Sequence, residues 1–181
     1  MSELLHRRSW VHEGELSLAV LESAFKKANN SVYEFGHKLA AGGRLSASML
    51  GIVVEDNVIA AGRVGPCSAY LYREGELFPF FESVNPEDIS EDDFVGAKSL
   101  VTVELASVPV QAEDRLFAFS SLLSEAQEKL LTKFAESLDI SAKDECQRCI
   151  EKVFTVKPPD SFSMTAEVGP ETIYLSEVVG E

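Results

Sequence analysis

Cys146 and Cys149 are the pair whose spacing most directly suggests chemistry, because two cysteines separated by two residues can bind a metal ion or form a redox couple. A zinc site needs a second ligand pair, and none stands at a recognisable distance. A redox pair favours a helix N-terminus, which lowers a thiol pKa, whereas this pair is predicted to lie inside a helix. We therefore expect both cysteines to pack in the core, with a metal or redox role as the alternative.

The other side chains that could bind metals are scattered or lie in one acidic stretch. His6, His12 and His37 do not form a cluster with metal-site spacing. Residues 86–93 are rich in aspartate and glutamate but lack the alternating ligands and central glycine of a calcium loop. We expect a solvated loop here, with binding of a cation or a basic partner as the alternative.

Arg7 and Arg8, followed by Trp10, form a locally basic and aromatic segment in an acidic protein. Paired guanidinium groups favour phosphate oxygens, so a contact with a phosphate group or an acidic partner is one hypothesis. The other hypothesis is a frayed terminus whose tryptophan packs on a sheet. The sequence leaves both open.

Three segments resemble, in the same order, motifs of the metal-dependent serine/threonine protein phosphatases of type 2C. Residues 64–71 resemble Val-Gly-Asp-Ser-Arg-Ala-Tyr-Leu, and the family's Arg-x-Gly-x-Leu hairpin pattern follows at residues 73–77. Residues 113–123 resemble Gly-Asp-Arg-Leu-Leu-Leu-Cys-Ser-Asp-Gly-Leu, and residues 162–168 resemble Asp-Asp-Met-Thr-Ala-Val-Val. Residues 12–17 resemble the segment after the family's Asp-Gly-x-Gly-Gly motif. The resemblance covers most of the chain from about His12 onward.

The acidic centres of these motifs are replaced in this chain. Where the family carries aspartates that bind metal, the sequence has Pro66, then Ser121 with Leu122, and then Phe162 with Ser163. Two-metal phosphate hydrolysis needs two ions about 3.5–4 Å apart, held chiefly by carboxylate oxygens. The resemblance therefore implies degenerate metal-site positions, no metal or other cofactor, and a pseudophosphatase.

The N-terminal part of the family pattern is also missing its acids. The first aspartate motif would fall at residues 7–11, yet Asp56 is the first aspartate of the chain. The family's preceding strands, which carry a phosphate-binding arginine, have no room in a leader of residues 1–15. The resemblance thus implies an N-terminally trimmed domain with an open sheet edge, and it predicts either a homodimer or a sheet that awaits a protein partner.

Hydrophobic periodicity predicts mixed helices and strands, and the resemblance implies their arrangement as a β-sandwich flanked by helices, an α+β fold. A helix is predicted from Leu21 to Gly42. Two further helices are predicted, one opened by a capping box of Ser124 and Gln127 and one capped by Ser141. The predicted strands are residues 49–54, 57–64, 69–73, 77–81, 100–106, 115–120, 163–168 and 172–178.

Composition limits the functional class. The chain has 181 residues, of which 45% are hydrophobic, which suits one domain over residues 1–181 with an acidic variable loop at residues 85–98. A formal charge of −14 argues against nucleic acid and anionic membranes as partners. The three cysteines fit a reducing compartment, and the chain has neither a secretory pattern nor an apolar run of about 18 residues, so we expect a cytoplasmic protein.

Two functional hypotheses follow. The favoured one is a non-catalytic signalling module that binds a protein partner, for which a phosphoprotein is one candidate. The alternative is an active phosphoprotein phosphatase with a relocated metal site built from Glu13, Glu15, Asp114 and Glu167. Against the alternative, Asp114 begins a strand whose far end would face the metals, which places it about 20 Å away.

Overall fold

The computed structural model describes residues 15–39, 44–55, 58–139, 144–154, 162–169 and 173–179. The expectations for Arg7, Arg8, Glu13 and Ser141 lie outside these ranges. Within them the chain has an α+β fold of helices and two antiparallel sheets, as the sequence predicts. No helix in the described ranges is both long and apolar enough to cross a membrane.

The elements follow one another along the chain with boundaries close to most of the predicted ones. The helices are α1 (Glu15–Lys38), α2 (Glu125–Glu136) and α3 (Glu145–Val153). The strands are β1 (Met49–Glu55), β2 (Val58–Val64), β3 (Ser68–Arg73), β4 (Glu76–Pro79), β5 (Glu104–Pro109), β6 (Arg115–Phe119), β7 (Phe162–Val168) and β8 (Ile173–Val179). The sheets have the strand orders β1-β2-β5 and β4-β3-β6-β7-β8.

The starts of α1 and β5 differ most from the predicted ones. Helix α1 begins at Glu15 rather than near Leu21, because the apolar spacing continues toward the N-terminus through Leu18, which packs against the same core as Leu21. Strand β5 starts at Glu104 rather than at residue 100. Its pairing with β2 starts at Arg63↔Glu104, one residue from the end of β2, so β2 does not extend far enough to pair with residues 100–102.

The chain separates into two compact units, each made of two stretches of sequence. The first unit comprises the residues up to Gly65 together with Ser83–Val110, and the second comprises Pro66–Glu82 and Gln111–Glu181. The one-domain expectation remains a prediction.

In the first unit α1 packs on the β1-β2-β5 sheet through Phe25, which is fully buried. Gly51 and Gly62 face each other in register. A methyl group on either glycine would lie only 3.1 or 3.2 Å from Phe25 Cε2, so the absence of side chains there makes room for the ring.

In the second unit α2 and α3 pack against one face of the five-stranded sheet. The predicted capping box is confirmed, with Gln127 N donating to Ser124 Oγ and Ser124 N donating to Gln127 Oε1. The buried residues of this core are Tyr70, Tyr72, Phe117, Phe119, Leu123, Leu131, Phe134, Ala135, Leu138, Cys149, Ile150, Val153 and Phe154.

Both cysteines are buried, as predicted, and Cys149 belongs to this core, but the pair begins in the first turn of a helix rather than in its middle. Because α3 begins at Glu145, Cys146 belongs to its first turn, where a redox pair would also stand. Both thiols are nevertheless free and fully buried. The pKa of the Cys149 thiol is raised, mainly because burial disfavours the thiolate and further because Cys146 and Glu145 lie nearby. Thiolate chemistry at Cys149 is therefore suppressed at neutral pH.

Removing the Phe25 ring should destabilise the first unit strongly. Phe25→Ala is expected to lower the free energy of unfolding by about 3–5 kcal/mol, because it removes a fully buried aromatic side chain and leaves a cavity. The matched control is Phe35→Ala on the same helix, where 58% of the residue is exposed and the change should be within about 0.5 kcal/mol. Urea unfolding measures both, and equal losses for the two variants would contradict the packing described.

The raised pKa of Cys149 predicts alkaline destabilisation. The folded-state pKa of Cys149 lies above the ordinary value of 9.0 that applies to the unfolded chain. Its contribution to stability is therefore full below pH 9.0 and is lost as pH rises above 9.0 toward the folded-state pKa, because the unfolded state then loses its proton first. Unfolding of the wild type between about pH 7.5 and pH 10 should show this loss. Cys149→Ala should weaken the dependence of the free energy of unfolding on pH. Val153→Ala, which changes a buried neutral residue on the same helix, should lower that free energy without altering its dependence on pH.

Candidate functional site

The three motif segments meet at one end of the five-stranded sheet. Strand β6 lies between β3 and β7, with Ser68 opposite Phe119 and Phe119 opposite Ser163. The start of β3, the end of β6 and the start of β7 therefore lie side by side. The positions at which the resemblance implies metal ligands belong to these three strand ends, and we call them the neutral strand ends: Pro66, Ser121, Leu122, Phe162 and Ser163.

Pro66 lies in the bend that joins β2 to β3 and is half-buried. The preceding residue, Gly65, has φ +84°, a conformation that favours glycine. A methyl group there would also come within 2.9 Å of Ser48 Oγ. The bend is thus built by the glycine of the motif, while the following position contributes a pyrrolidine ring instead of a carboxylate.

Ser121 and Leu122 follow β6 and are both half-buried. The Ser68 hydroxyl donates a hydrogen bond of 2.7 Å to the Ser121 carbonyl oxygen. This bond ties the start of β3 to the end of β6, so Ser68 and Ser121 hold two of the strand ends together.

Phe162 and Ser163 begin β7 and point to opposite faces of the sheet, as alternation along a strand requires. The Phe162 backbone is paired with Ser120, because Phe162 N donates to Ser120 Oγ at 2.9 Å and Ser120 N donates to Phe162 O at 3.0 Å. Ser163 is 1% exposed, and its hydroxyl lies 3.3 Å from the Cys146 thiol. Ser163 therefore faces α3 and the core.

Asp114, an acid of the alternative hypothesis, lies at the opposite end of β6 and is engaged in an ion pair. Its side chain is fully buried, and Arg73 Nε and Nη2 donate to Oδ1 and Oδ2 at 2.7 and 2.6 Å. Gln111 N donates to Oδ2 at 2.8 Å. Asp114 thus neutralises an arginine and closes the turn before β6, where Glu113 has φ +69°. Sequence reasoning missed this pair, although Arg73 stands in the hairpin motif.

Glu167 is also paired. It lies opposite Arg115 in the β6–β7 ladder, and Arg115 Nε donates to Glu167 Oε2 at 2.9 Å. Arg115 Nη1 also donates to the Ala135 carbonyl of α2. The remaining acids of the alternative hypothesis are not placed, because Glu13 and the side chain of Glu15 lie outside what the structure describes. Within its described ranges, no group of three or more His, Cys, Asp or Glu side chains is positioned to hold a metal ion.

Breaking the Arg73–Asp114 pair should cost far more than breaking a surface pair. Arg73→Ala leaves a fully buried carboxylate without its guanidinium, and such losses lower the free energy of unfolding by about 3–5 kcal/mol. Lys129→Ala is the control, because the two side chains of its pair with Glu125 are 71% and 82% exposed, and removing such a pair should leave the free energy of unfolding nearly unchanged. Chemical denaturation measures both, and a loss below about 1 kcal/mol for Arg73→Ala would contradict a structural role for the pair.

Comparison with known proteins gives a structural match only. No family model matches the chain, and no curated protein matches its sequence. The Mycobacterium tuberculosis serine/threonine phosphatase PstP/Ppp matches with a TM-score of 0.65 at 17% identity, over 84% of this chain and 72% of that one. The PstP catalytic domain in complex with two manganese ions matches with a TM-score of 0.65 at 17% identity, over 89% and 71%.

PppA, a key regulatory component of the T6SS in Pseudomonas aeruginosa, matches with a TM-score of 0.60 at 13% identity, over 83% of this chain and 69% of that one. The chain thus spans about 70% of the length of these proteins. Identities this low establish a shared fold rather than a shared activity. The protein therefore has the fold of the type 2C serine/threonine protein phosphatases, as the motifs in its sequence indicate.

Proposed function

We propose that this protein is a non-catalytic type 2C phosphatase-like domain that binds a protein partner in the cytoplasm. The observation that carries the proposal is the chemistry of the neutral strand ends, where the side chains of Pro66, Leu122 and Phe162 offer no ligand atom and that of Ser121 offers a hydroxyl but no carboxylate. Mn²⁺ and Mg²⁺ are held chiefly by carboxylate oxygens. The Ser163 hydroxyl lies in the core beside Cys146, so these side chains do not fit a pair of divalent ions.

A relocated metal site finds little support among the acids that are described. Recruiting Asp114 would break its buried ion pair with Arg73, and breaking a buried pair costs about 3–5 kcal/mol. Glu167 would have to leave Arg115, its cross-strand neighbour. PstP is named as a serine/threonine phosphatase, and its catalytic domain is in complex with two manganese ions, which favours activity by analogy. At 17% identity that analogy extends to the fold, and the side chains decide the chemistry.

Several observations support a protein partner. PppA is itself a regulatory component, which shows that this fold serves regulation in another protein. A net charge of −14 disfavours nucleic acid and anionic membranes. Within the described ranges the strands β1, β5, β4 and β8 stand at sheet edges, and edge strands offer backbone groups to another chain. A homodimer and a complex with a phosphoprotein both remain predictions of this proposal.

The proposal predicts that the protein does not hydrolyse phosphate esters in a metal-dependent manner. With Mn²⁺ or Mg²⁺ in excess, p-nitrophenyl phosphate and phosphopeptides should be turned over at the rate of the protein-free control, because the neutral strand ends cannot position two ions. PstP assayed in parallel is the positive control. A rate well above background that Asp114→Ala or Glu167→Ala abolishes would establish the relocated site instead.

Loss of folding in those two variants would confuse this result, so metal binding needs an independent measurement. A specific ligand at about 100 times its Kd stabilises a native protein by about 2.7 kcal/mol. Because the proposal expects no specific Mn²⁺ site, the melting temperature of the wild type should be the same in Mn²⁺ as in monovalent salt at equal ionic strength. A saturable rise of a few degrees would show that a metal site survives.

A further inference from the structure

A second candidate site lies in the first unit, in a groove between the C-terminal part of α1 and the loop that precedes β5. The groove has a volume of about 570 Å³. Its polar lining includes Tyr33, His37, Arg44, Lys98 and Ser99, and Leu100 adds an apolar wall. We call it the cation groove, because it places an arginine, a lysine and a histidine in one cavity of a protein with a net charge of −14.

The loop that carries Lys98 and Ser99 is held in place by a buried side chain. Asn29 of α1 is 1% exposed, and its Nδ2 donates to the carbonyl oxygens of Lys98 and Ser99 at 3.0 and 3.2 Å. Asn29 Oδ1 accepts a 2.8 Å bond from the Gly96 backbone N–H. Gly96 has φ +86°, and a methyl group there would clash with Val32. The backbone is therefore fixed before any ligand binds, which lowers the entropy cost of binding.

The position of Asp92 shows that Arg44 and Lys98 can pair with a carboxylate. Asp92 lies between them, with Oδ2 3.0 Å from Lys98 Nζ and Oδ1 3.9 Å from Arg44 Nη1. All three side chains are substantially exposed, so this internal pairing is weak and exchangeable. The distant negative charges of the protein count for little at such a site, because the Debye length is about 8 Å at physiological salt.

The apolar walls of the groove indicate what kind of side chain would lie beside the carboxylate of a bound ligand. Leu100 is 85% exposed and Leu45 is 38% exposed, so apolar surface is available next to Arg44 and Lys98. Ligand sites combine apolar walls with a few polar groups that fix orientation. An acidic side chain adjacent to a leucine-like side chain would satisfy both parts of this groove.

We propose that the cation groove binds a segment of a partner protein in which aspartate or glutamate alternates with apolar residues, and that Asp92 competes with it for Arg44 and Lys98. The site goes beyond the proposed function, because its residues belong to the first unit and are not those of the neutral strand ends. It would stand unchanged if the protein proved to be an active phosphatase.

Because Asp92 is an internal competitor, its removal should strengthen binding, which a merely structural residue would not do. The probe is a fluorescein-labelled peptide of alternating aspartate and leucine, measured by fluorescence anisotropy with the full chain. Asp92→Asn keeps the size of the side chain and leaves the backbone cap at Ser90 intact. It should bind the peptide at least about threefold more tightly than the wild type. Asp88→Asn, an exposed residue of the same loop with the same charge change, should bind as the wild type does.

Charge reversal tests the two cations directly. The double variant Arg44→Glu with Lys98→Glu should weaken binding at least about tenfold, and salt raised from about 50 to 500 mM should weaken the wild type. The control is Lys26→Glu with Lys129→Glu, which makes the same charge change on exposed helix lysines elsewhere and should leave affinity within about twofold. Thermal melts identify a variant that fails to fold, and the Asp92→Asn result does not depend on the double variant.

Each of the following results would overturn the proposal. One is an Asp92→Asn variant that binds no more tightly than Asp88→Asn. Another is equal binding of a peptide in which asparagine replaces aspartate. Tighter binding of inorganic phosphate or of a serine-phosphorylated peptide would assign the groove to phosphate. Self-association by sedimentation that the double charge reversal abolishes would assign it to a second copy of this chain.

Discussion

The antiparallel register of β6 with β3 and β7 determines which side chains can meet in this protein. Because a strand advances about 3.3 Å per residue, side chains at the two ends of β6 are too far apart along the strand to meet. The register places Ser68, Phe119 and Ser163 side by side at one end. At the other end it places Arg115 opposite Glu167, next to the buried pair of Arg73 and Asp114. Two charged pairs thus lie at the end of β6 that begins with Arg115, whereas the five described residues at which the motif resemblance implies metal ligands have uncharged side chains.

Features set by local interactions were predicted from the sequence, and features set by distant partners were not. The capping box of Ser124 and Gln127 spans four residues, so its pattern is visible along the chain. The start of β5 depends on where β2 ends, and its apolar run alone suggested a start four residues too early. Helix α3 begins at Glu145, and Asp144 takes the N-cap position without a side-chain hydrogen bond, so no capping pattern in the sequence marks this start.

The candidate sites also separate into features that are local in sequence and features that depend on distant residues. The motif resemblance identified the neutral strand ends because each segment is contiguous in sequence, and the sheet brings the three segments together. The pair of Arg73 and Asp114 joins residues 41 positions apart, and Asn29 fixes a loop about 70 positions away. The cation groove depends on that second contact. No periodicity or spacing in the sequence reports it, since His37, Arg44 and Lys98 are unremarkable surface residues until the loop is folded against α1.

We infer that the chain retains the phosphatase fold while its strand ends carry side chains that do not hold metal. Electron paramagnetic resonance of free Mn²⁺ during titration of the protein can check this inference, because it counts bound ions without requiring turnover, a partner or a variant. The signal is expected to follow added Mn²⁺ as in buffer, with no stoichiometric binding at micromolar concentration. Binding of two ions per chain in that range, as expected for a two-metal phosphatase centre, would contradict it.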